Sequence, residues 1–155
     1  MILSRNRIKY DIKASQIFDN LYIWGYRHLY SAVWHAIKAK KNNRMISKTL
    51  SIEVLLYAAA QRQIKKAFAL LGVKETTKDI AGIVLGETSQ QLIDASYQLQ
   101  EELNLKANIK LLGDFTSKNE LFIKLLRNDG YKTTDFTFSD IEKAVLQKIA
   151  LLALE

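Results

Sequence analysis

The chain is expected to fold as a mixed α/β (α+β) protein, a small central β-sheet packed with several α-helices in a single domain. Three observations lead there. Apolar residues recur with period two in some stretches and with helical period in others. Three Ser/Thr-x-x-Glu/Gln signals, at Thr88–Gln91, Ser117–Glu120 and Ser139–Glu142, mark helix starts. The 155 residues, 48% hydrophobic and 25% charged, suit one domain with a proper core, and nothing reads as a linker or an internal repeat.

Taken in order, residues 6–13 set Ile8, Tyr10 and Ile12 against Arg7, Lys9, Asp11 and Lys13, which predicts a half-exposed strand. Residues 14–20 read as a short helix. Leu21–Trp24 is a candidate buried strand ended by Gly25. Residues 27–41 turn to helical period, with Leu29, Val33, Ala36 and Ile37 inward, Tyr30 and Trp34 at the edge, and Arg27, Ser31, His35 and Lys38 on the opposite side. Lys40-Lys41-Asn42-Asn43-Arg44 is a turn by composition. Thr49–Gly72 reads as helix with a joint near residue 61. Its second half, Ile64, Ala67, Phe68 and Leu71, forms one amphipathic face, and Gly72 stands where a helix end favours positive φ.

Ile80–Leu85 is a continuous apolar run, expected as a central strand. The helix opened at Thr88 carries Leu92, Leu99 and Leu103 inward. Asn108–Leu112 is expected as a strand. The helix opened at Ser117 carries Leu121, Phe122, Leu125 and Leu126 and stops at Asn128-Asp129-Gly130. The last, opened at Ser139, buries Ile141, Val145, Ile149 and Leu152.

The charge balance is uneven. The net charge is +7; residues 1–48 hold ten Lys/Arg against two Asp/Glu, whereas residues 49–155 hold thirteen against fourteen. All excess positive charge lies in one section, which points to a polyanion such as nucleic acid or to an acidic protein surface. A membrane surface fits less well, because the basic residues come with hydrogen-bonding neighbours and not on a helix whose opposite face is continuously apolar; no apolar run reaches the ~20 residues that span a bilayer, and the N-terminus lacks a signal-peptide core. The chain has no Cys, hence no disulfide, thiolate metal site or cysteine nucleophile, and a reducing, cytoplasmic setting is expected. Two His without HxH or HExxH do not favour zinc. There is no GxSxG, P-loop or GxGxxG, and no Ser, Cys or Asp partner for His28 or His35 follows from spacing. No catalytic residue and no cofactor are implied.

Two candidate sites remain. Lys38, Lys40, Lys41, Arg44 and Lys48 fall within eleven residues without an acid. They read either as a solvated helix end that complements the dipole or as a phosphate-contacting patch, extended along the same helix by Arg27, Ser31 and His35. The aromatics of this section suit stacking on single-stranded RNA, or core packing. Trp24 and Trp34 are read as core, and Tyr26, beside Arg27, as the better stacking candidate. The second site is Gln61-Arg62-Gln63, a compact polar insert between apolar segments. It is either a solvated joint or a set of amides and a guanidinium for base edges and phosphate.

The stretch Thr49–Gly72, with Ile52-Glu53-Val54-Leu55-Leu56 and Gln61-Arg62-Gln63-Ile64, resembles the signature of the small regulatory subunit of the KEOPS complex, the TPRKB-like kinase-binding family, in an archaeal type. His35-Ala36-Ile37 resembles the helix before it, and Val145–Leu152 resembles the family's C-terminus. The likeness is weak across 1–26 and 74–137. The resemblance implies a non-enzyme with a single mixed α/β domain. It implies binding to the PRPK-type atypical kinase/ATPase of KEOPS, to the 3′ CCA end of tRNA, and indirectly to the other subunits that make threonylcarbamoyladenosine. It also implies an RNA-facing role for Gln61, Arg62 and Gln63. Ala59-Ala60 stands where the family commonly has Ser/Thr-Gly, which implies a stiffer joint. The alternative is a protein-interaction module without an RNA role of its own.

Overall fold

The computed structural model describes residues 12–154. The elements run β1 (Ala14–Asp19), a 3-10 turn (Asn20–Tyr22), α1 (Tyr26–Lys41), α2 (Leu50–Ala59), α3 (Ile64–Leu71), β2 (Ile80–Leu85), α4 (Ser89–Glu102), a second 3-10 turn (Ile109–Gly113), α5 (Asn119–Asn128) and α6 (Phe138–Leu152). Strands β1 and β2 pair antiparallel, from Ala14 opposite Leu85 to Asp19 opposite Ile80. The result is an α+β fold with a two-stranded sheet among the described residues. None of the described helices is long and apolar enough to cross a membrane.

Helix α2 is the hub. Eight of its ten residues are buried, Leu50 and the run from Glu53 to Ala59, and it packs against α1, α3, β1 and α6. A helix that is apolar all round belongs in a core. Its N-terminus is capped by Thr49, whose hydroxyl accepts from the Ile52 N–H at 3.4 Å. Helix α6 supplies the other wall: Ile141, Val145, Ile149 and Leu152 are buried, as the periodicity predicts.

Several expectations are corrected. Of residues 14–20, 14–19 form strand β1 rather than a helix and Asn20 opens the 3-10 turn, because pairing with β2 overrides weak local preference. Of the strand expected over 6–13, residues 6–11 lie outside the described range. Residues 21–24 are not a strand: the Asp19 carboxylate accepts from the Leu21 N–H at 3.0 Å and winds a 3-10 turn. Ile23 and Trp24 are nonetheless buried. Strand β2 is half exposed rather than central, its described ladder partner being β1 alone.

Asn108–Leu112 is a 3-10 turn rather than a strand. The buried Lys118 ammonium donates to the carbonyls of Ile23 (2.8 Å), Leu112 (3.2 Å) and Leu111 (3.4 Å) and to Asn20 Oδ1 (3.2 Å). Carbonyls converging on one cation cannot alternate sides as a strand requires. Burial lowers the Lys118 pKa to about 8, against the opposing pull of Asp114 and Asp79.

The capping boxes fare unevenly. Thr88 and Gln91 form theirs. Helix α5 starts two residues after Ser117, with Lys118 at the cap position and no side-chain cap. The α6 box is Thr137 with Asp140, two residues before the expected pair. In α4 only Ala95 is fully buried, and Leu92, Leu99 and Leu103 are half-buried. Gly72 has an extended φ of −66° rather than a positive one; glycine is needed because a Cβ would lie 2.5 Å from the Phe68 carbonyl oxygen.

The inner face of α1 also differs. It is built from His28, Leu29, Ala32, Ala36 and Ala39. Small side chains let α2 approach closely, so the large ones turn out: Ile37 is 45% and Trp34 49% exposed, against the reading of Ile37 as inward and of the edge residue Trp34 as core. In α3, Ala67 and Leu71 are buried while Ile64 and Phe68 stay partly exposed.

Candidate nucleic-acid interface

Helices α1 and α2 form a hairpin whose near end is locked by His28. Its Nδ1 accepts from the Trp24 N–H at 3.0 Å, and its Nε2 lies 2.8 Å from the Ala58 carbonyl. A backbone N–H can only donate and a carbonyl only accept, so the ring is the neutral Nε2–H form. Burial holds its pKa down to about 4, outweighing the Ala58 bond that favours the charged form; Lys118 and Lys148 depress it further. With both nitrogens engaged by backbone, His28 is a tie between the α1 entry and the α2 exit.

The exit itself is a tight turn. Ala60 adopts the left-handed conformation, φ 48° and ψ 46°. Its N–H donates to the Tyr57 carbonyl and the Gln61 N–H to the Leu56 carbonyl, each at 3.0 Å. This arrangement closes a helix on a residue that is usually glycine. It stops α2 at Ala59 and throws Gln61, Arg62 and Gln63 outward before α3 begins at Ile64. Gln63 caps α3 without a side-chain bond, so the first-turn N–H groups and the positive end of the helix dipole are presented at the joint.

The joint borders two adjoining hollows. The inner one, of about 290 Å³, is lined by Tyr22, His28, Ala58–Ala60, Leu70, Leu71, Phe122, Leu126, Val145 and Ile149, with Gln61, Lys66, Asp129 and Lys148 among its polar lining. The outer one, of about 350 Å³, is lined by Ala60, Gln61, Arg62, Gln63, Lys66, Lys148, Leu151 and Leu152. An apolar hollow beside amides and cations suits a base with its attached phosphate.

Two of these cations carry no mark in the sequence reading. Lys66 lies one turn into α3, and Lys148 comes from α6, far along the chain. Both fall inside stretches that carry the family resemblance, Thr49–Gly72 and Val145–Leu152. That was the available signal. Lys148 donates to the Asp129 carboxylate.

The other candidate residues are dispersed. Lys38, Lys40 and Lys41 occupy the last turn of α1, with exposed Arg44 just beyond. They sit at the far end of the hairpin, separated from the joint by the length of α2, about 15 Å. The buried Glu53 shapes that end, its carboxylate accepting from Ile46 N–H (3.0 Å), Ser47 N–H (2.8 Å) and Ser47 Oγ–H (2.7 Å). Arg27 is exposed and pairs with Glu142 of α6 at 3.3 Å.

One thread joins the two ends. The Lys38 ammonium lies 4.9 Å over the Trp34 ring, Trp34 meets His35 edge-on, and His35 stacks on Tyr57 with centroids 5.6 Å apart. Burial lowers the His35 pKa, and Lys38 adds to the effect. Burial raises that of Tyr57; Glu53 adds to this and Arg62 opposes it. Tyr26 and Tyr30 stack on one another at 5.9 Å and are 67% and 58% exposed. Among the described residues no group of three or more His, Asp or Glu side chains could hold a metal ion.

The family model for the kinase binding protein CGI-121 matches residues 2–153, including the regions where the motif likeness is weak. A relative from Coccidioides immitis (strain RS), the EKC/KEOPS complex subunit CGI121, is 29% identical over 96 residues. That alignment covers 62% of this chain and 43% of the relative, so the chain matches less than half of the relative's length. The chain belongs to the CGI-121 kinase-binding protein family.

Proposed function

We propose that this chain is a non-catalytic accessory subunit of the KEOPS tRNA-modification complex, which makes threonylcarbamoyladenosine. It binds the complex's PRPK-type kinase and holds the single-stranded 3′ CCA end of tRNA. The RNA role is carried by one observation: the apolar hollow beside Gln61, Arg62 and Gln63 is bordered by Lys66 and Lys148. Bases would enter the hollow, and phosphates would meet the cations and the open N–H groups of α3. Lys38, Lys40, Lys41, Arg44, Arg27 and His35 would act at longer range on the tRNA body, through screened charge rather than contact with the end.

Kinase binding is supported by the family description. The surface we assign to it is the outer stripe of α1. Tyr26, Tyr30, Trp34 and Ile37, each between 45% and 67% exposed, recur at i, i+4, i+8 and i+11, a helical face with no covering element among the described residues.

The test separates this reading from a pure interaction module. Arg62→Ala and Lys66→Ala should reduce retention of tRNA at physiological salt while leaving copurification with the kinase intact. Absence of tRNA retention by the unmodified protein, with kinase binding preserved, would favour the interaction module.

A further inference from the structure

The two hollows differ in charge. The outer one is bordered by Arg62, Lys66 and Lys148, with no carboxylate in its lining. The inner one shares Lys66 and Lys148 but adds the carboxylate of Asp129, which receives the Lys148 ammonium. The inner hollow is also closed at its base. His28, Leu71, Phe122, Leu126 and Ile149 are all 5% exposed or less and belong to the continuous core. A polymer cannot thread such a hollow; it enters as an end or as a single splayed base, and an end leaves its last sugar inside. The charge gradient gives that end a direction, phosphates outward over the three cations and the last sugar inward beside Asp129.

We infer that Asp129 makes this cleft select an RNA end bearing a free 2′,3′-diol over an end that carries phosphate. The inference rests on the RNA-binding reading above and adds the chemistry of the terminus. A carboxylate accepts hydrogen bonds from hydroxyls, and its two oxygens match the two hydroxyls of a ribose end. Among the described residues only Lys148 donates to this carboxylate, through Oδ2, and the Asp129 side chain is 41% exposed. The carboxylate is therefore reachable and held in place by a cation. A terminal phosphate in the same position would place two anions side by side, a like-charge repulsion that the hydroxyl end avoids. A 5′-phosphorylated end is disfavoured for the same reason.

The experiment uses the full chain and 5′-labelled single-stranded RNAs of one sequence, ending either in a 3′-hydroxyl or in a 3′-phosphate. The unmodified protein should bind the hydroxyl end about tenfold more tightly, the scale of one hydrogen-bonded charge. Asp129→Asn, which keeps the shape, should bring the two affinities within about twofold, mainly by improving the phosphate end. Lys148→Met should weaken both ends and leave a preference for the hydroxyl, which separates a direct role of Asp129 from one of merely holding Lys148. Equal affinities in the unmodified protein, or a preference untouched by Asp129→Asn, would overturn the inference and leave the RNA reading standing. Failure of both RNAs to bind would remove the two together. Thermal melting of Asp129→Asn, an exposed and isosteric change, checks that the fold is retained.

Discussion

The two ends of the α1–α2 hairpin are both rich in cations, yet they are built differently. At the far end Lys38, Lys40, Lys41 and Arg44 crown the last turn of α1, and the buried Glu53 draws the loop inward by three hydrogen bonds. The N–H groups of Ile46 and Ser47 are thereby satisfied within the protein. At the near end Arg62, Lys66 and Lys148 gather from three segments around a hollow, and the N–H groups opening α3 have no side-chain cap. Charge density alone would rank the far end first. A ligand site also needs a shaped surface and donors left for a partner, and those lie at the near end.

The sharpest way to break this contrast is at Glu53. Glu53→Ala strands the Ile46 and Ser47 N–H donors around a fully buried position and should cost about 3 kcal/mol or more of stability, read from urea denaturation. At temperatures where the variant stays folded, RNA affinity should be nearly unchanged. A specific loss of RNA binding would move the site to the far end.

Next comes the histidine lock at the near end. The folded-state pKa of His28 is depressed from 6.5 to about 4, so the unfolded chain takes up the proton first as pH falls. Stability should be flat above pH ~6.5, fall between ~6.5 and ~4, and level off below, losing about 3 kcal/mol in all. Protonated Nδ1 can no longer accept from Trp24. His28→Gln should flatten this part of the pH profile of stability.

Binding effects are of similar or smaller size. Arg62→Ala should weaken binding of tRNA by about 1–3 kcal/mol, whereas Lys40→Ala should lower affinity by less and reduce the salt slope by about one. Titration at several salt concentrations distinguishes the two. The smallest expected effect is at the joint itself. Ala60→Gly removes the left-handed penalty on Ala60 and, after glycine's entropic cost, should stabilise by about 0.5–1 kcal/mol in thermal melting.

The contrast also explains what was legible in the sequence. Helices α1 and α6 and the Thr88 cap follow from periodicity and capping chemistry, which are local. The polar insert at Gln61–Gln63 was visible because an apolar stretch has little use for three such side chains. What escaped depends on contacts distant in sequence. Lys118 bends 108–112 out of a strand by collecting carbonyls from two loops. Pairing across the β1–β2 ladder turns 14–19 into a strand. The alanine face of α1 inverts the expected burial of Ile37 and Trp34, because a close helix contact selects small residues that a hydrophobicity pattern undervalues. At the proposed site, the three-residue insert is contiguous and stands out in the sequence, whereas Lys148 and Asp129 come beside it only through the fold.

The central claim is that the cleft beside Gln61–Gln63 holds the 3′ end of tRNA. The most direct measurement compares binding of intact tRNA with the same tRNA lacking its terminal CCA. Intact tRNA should bind at least about tenfold more tightly to the unmodified protein, and Arg62→Ala should remove most of that difference. Equal binding of the two tRNAs would contradict the claim.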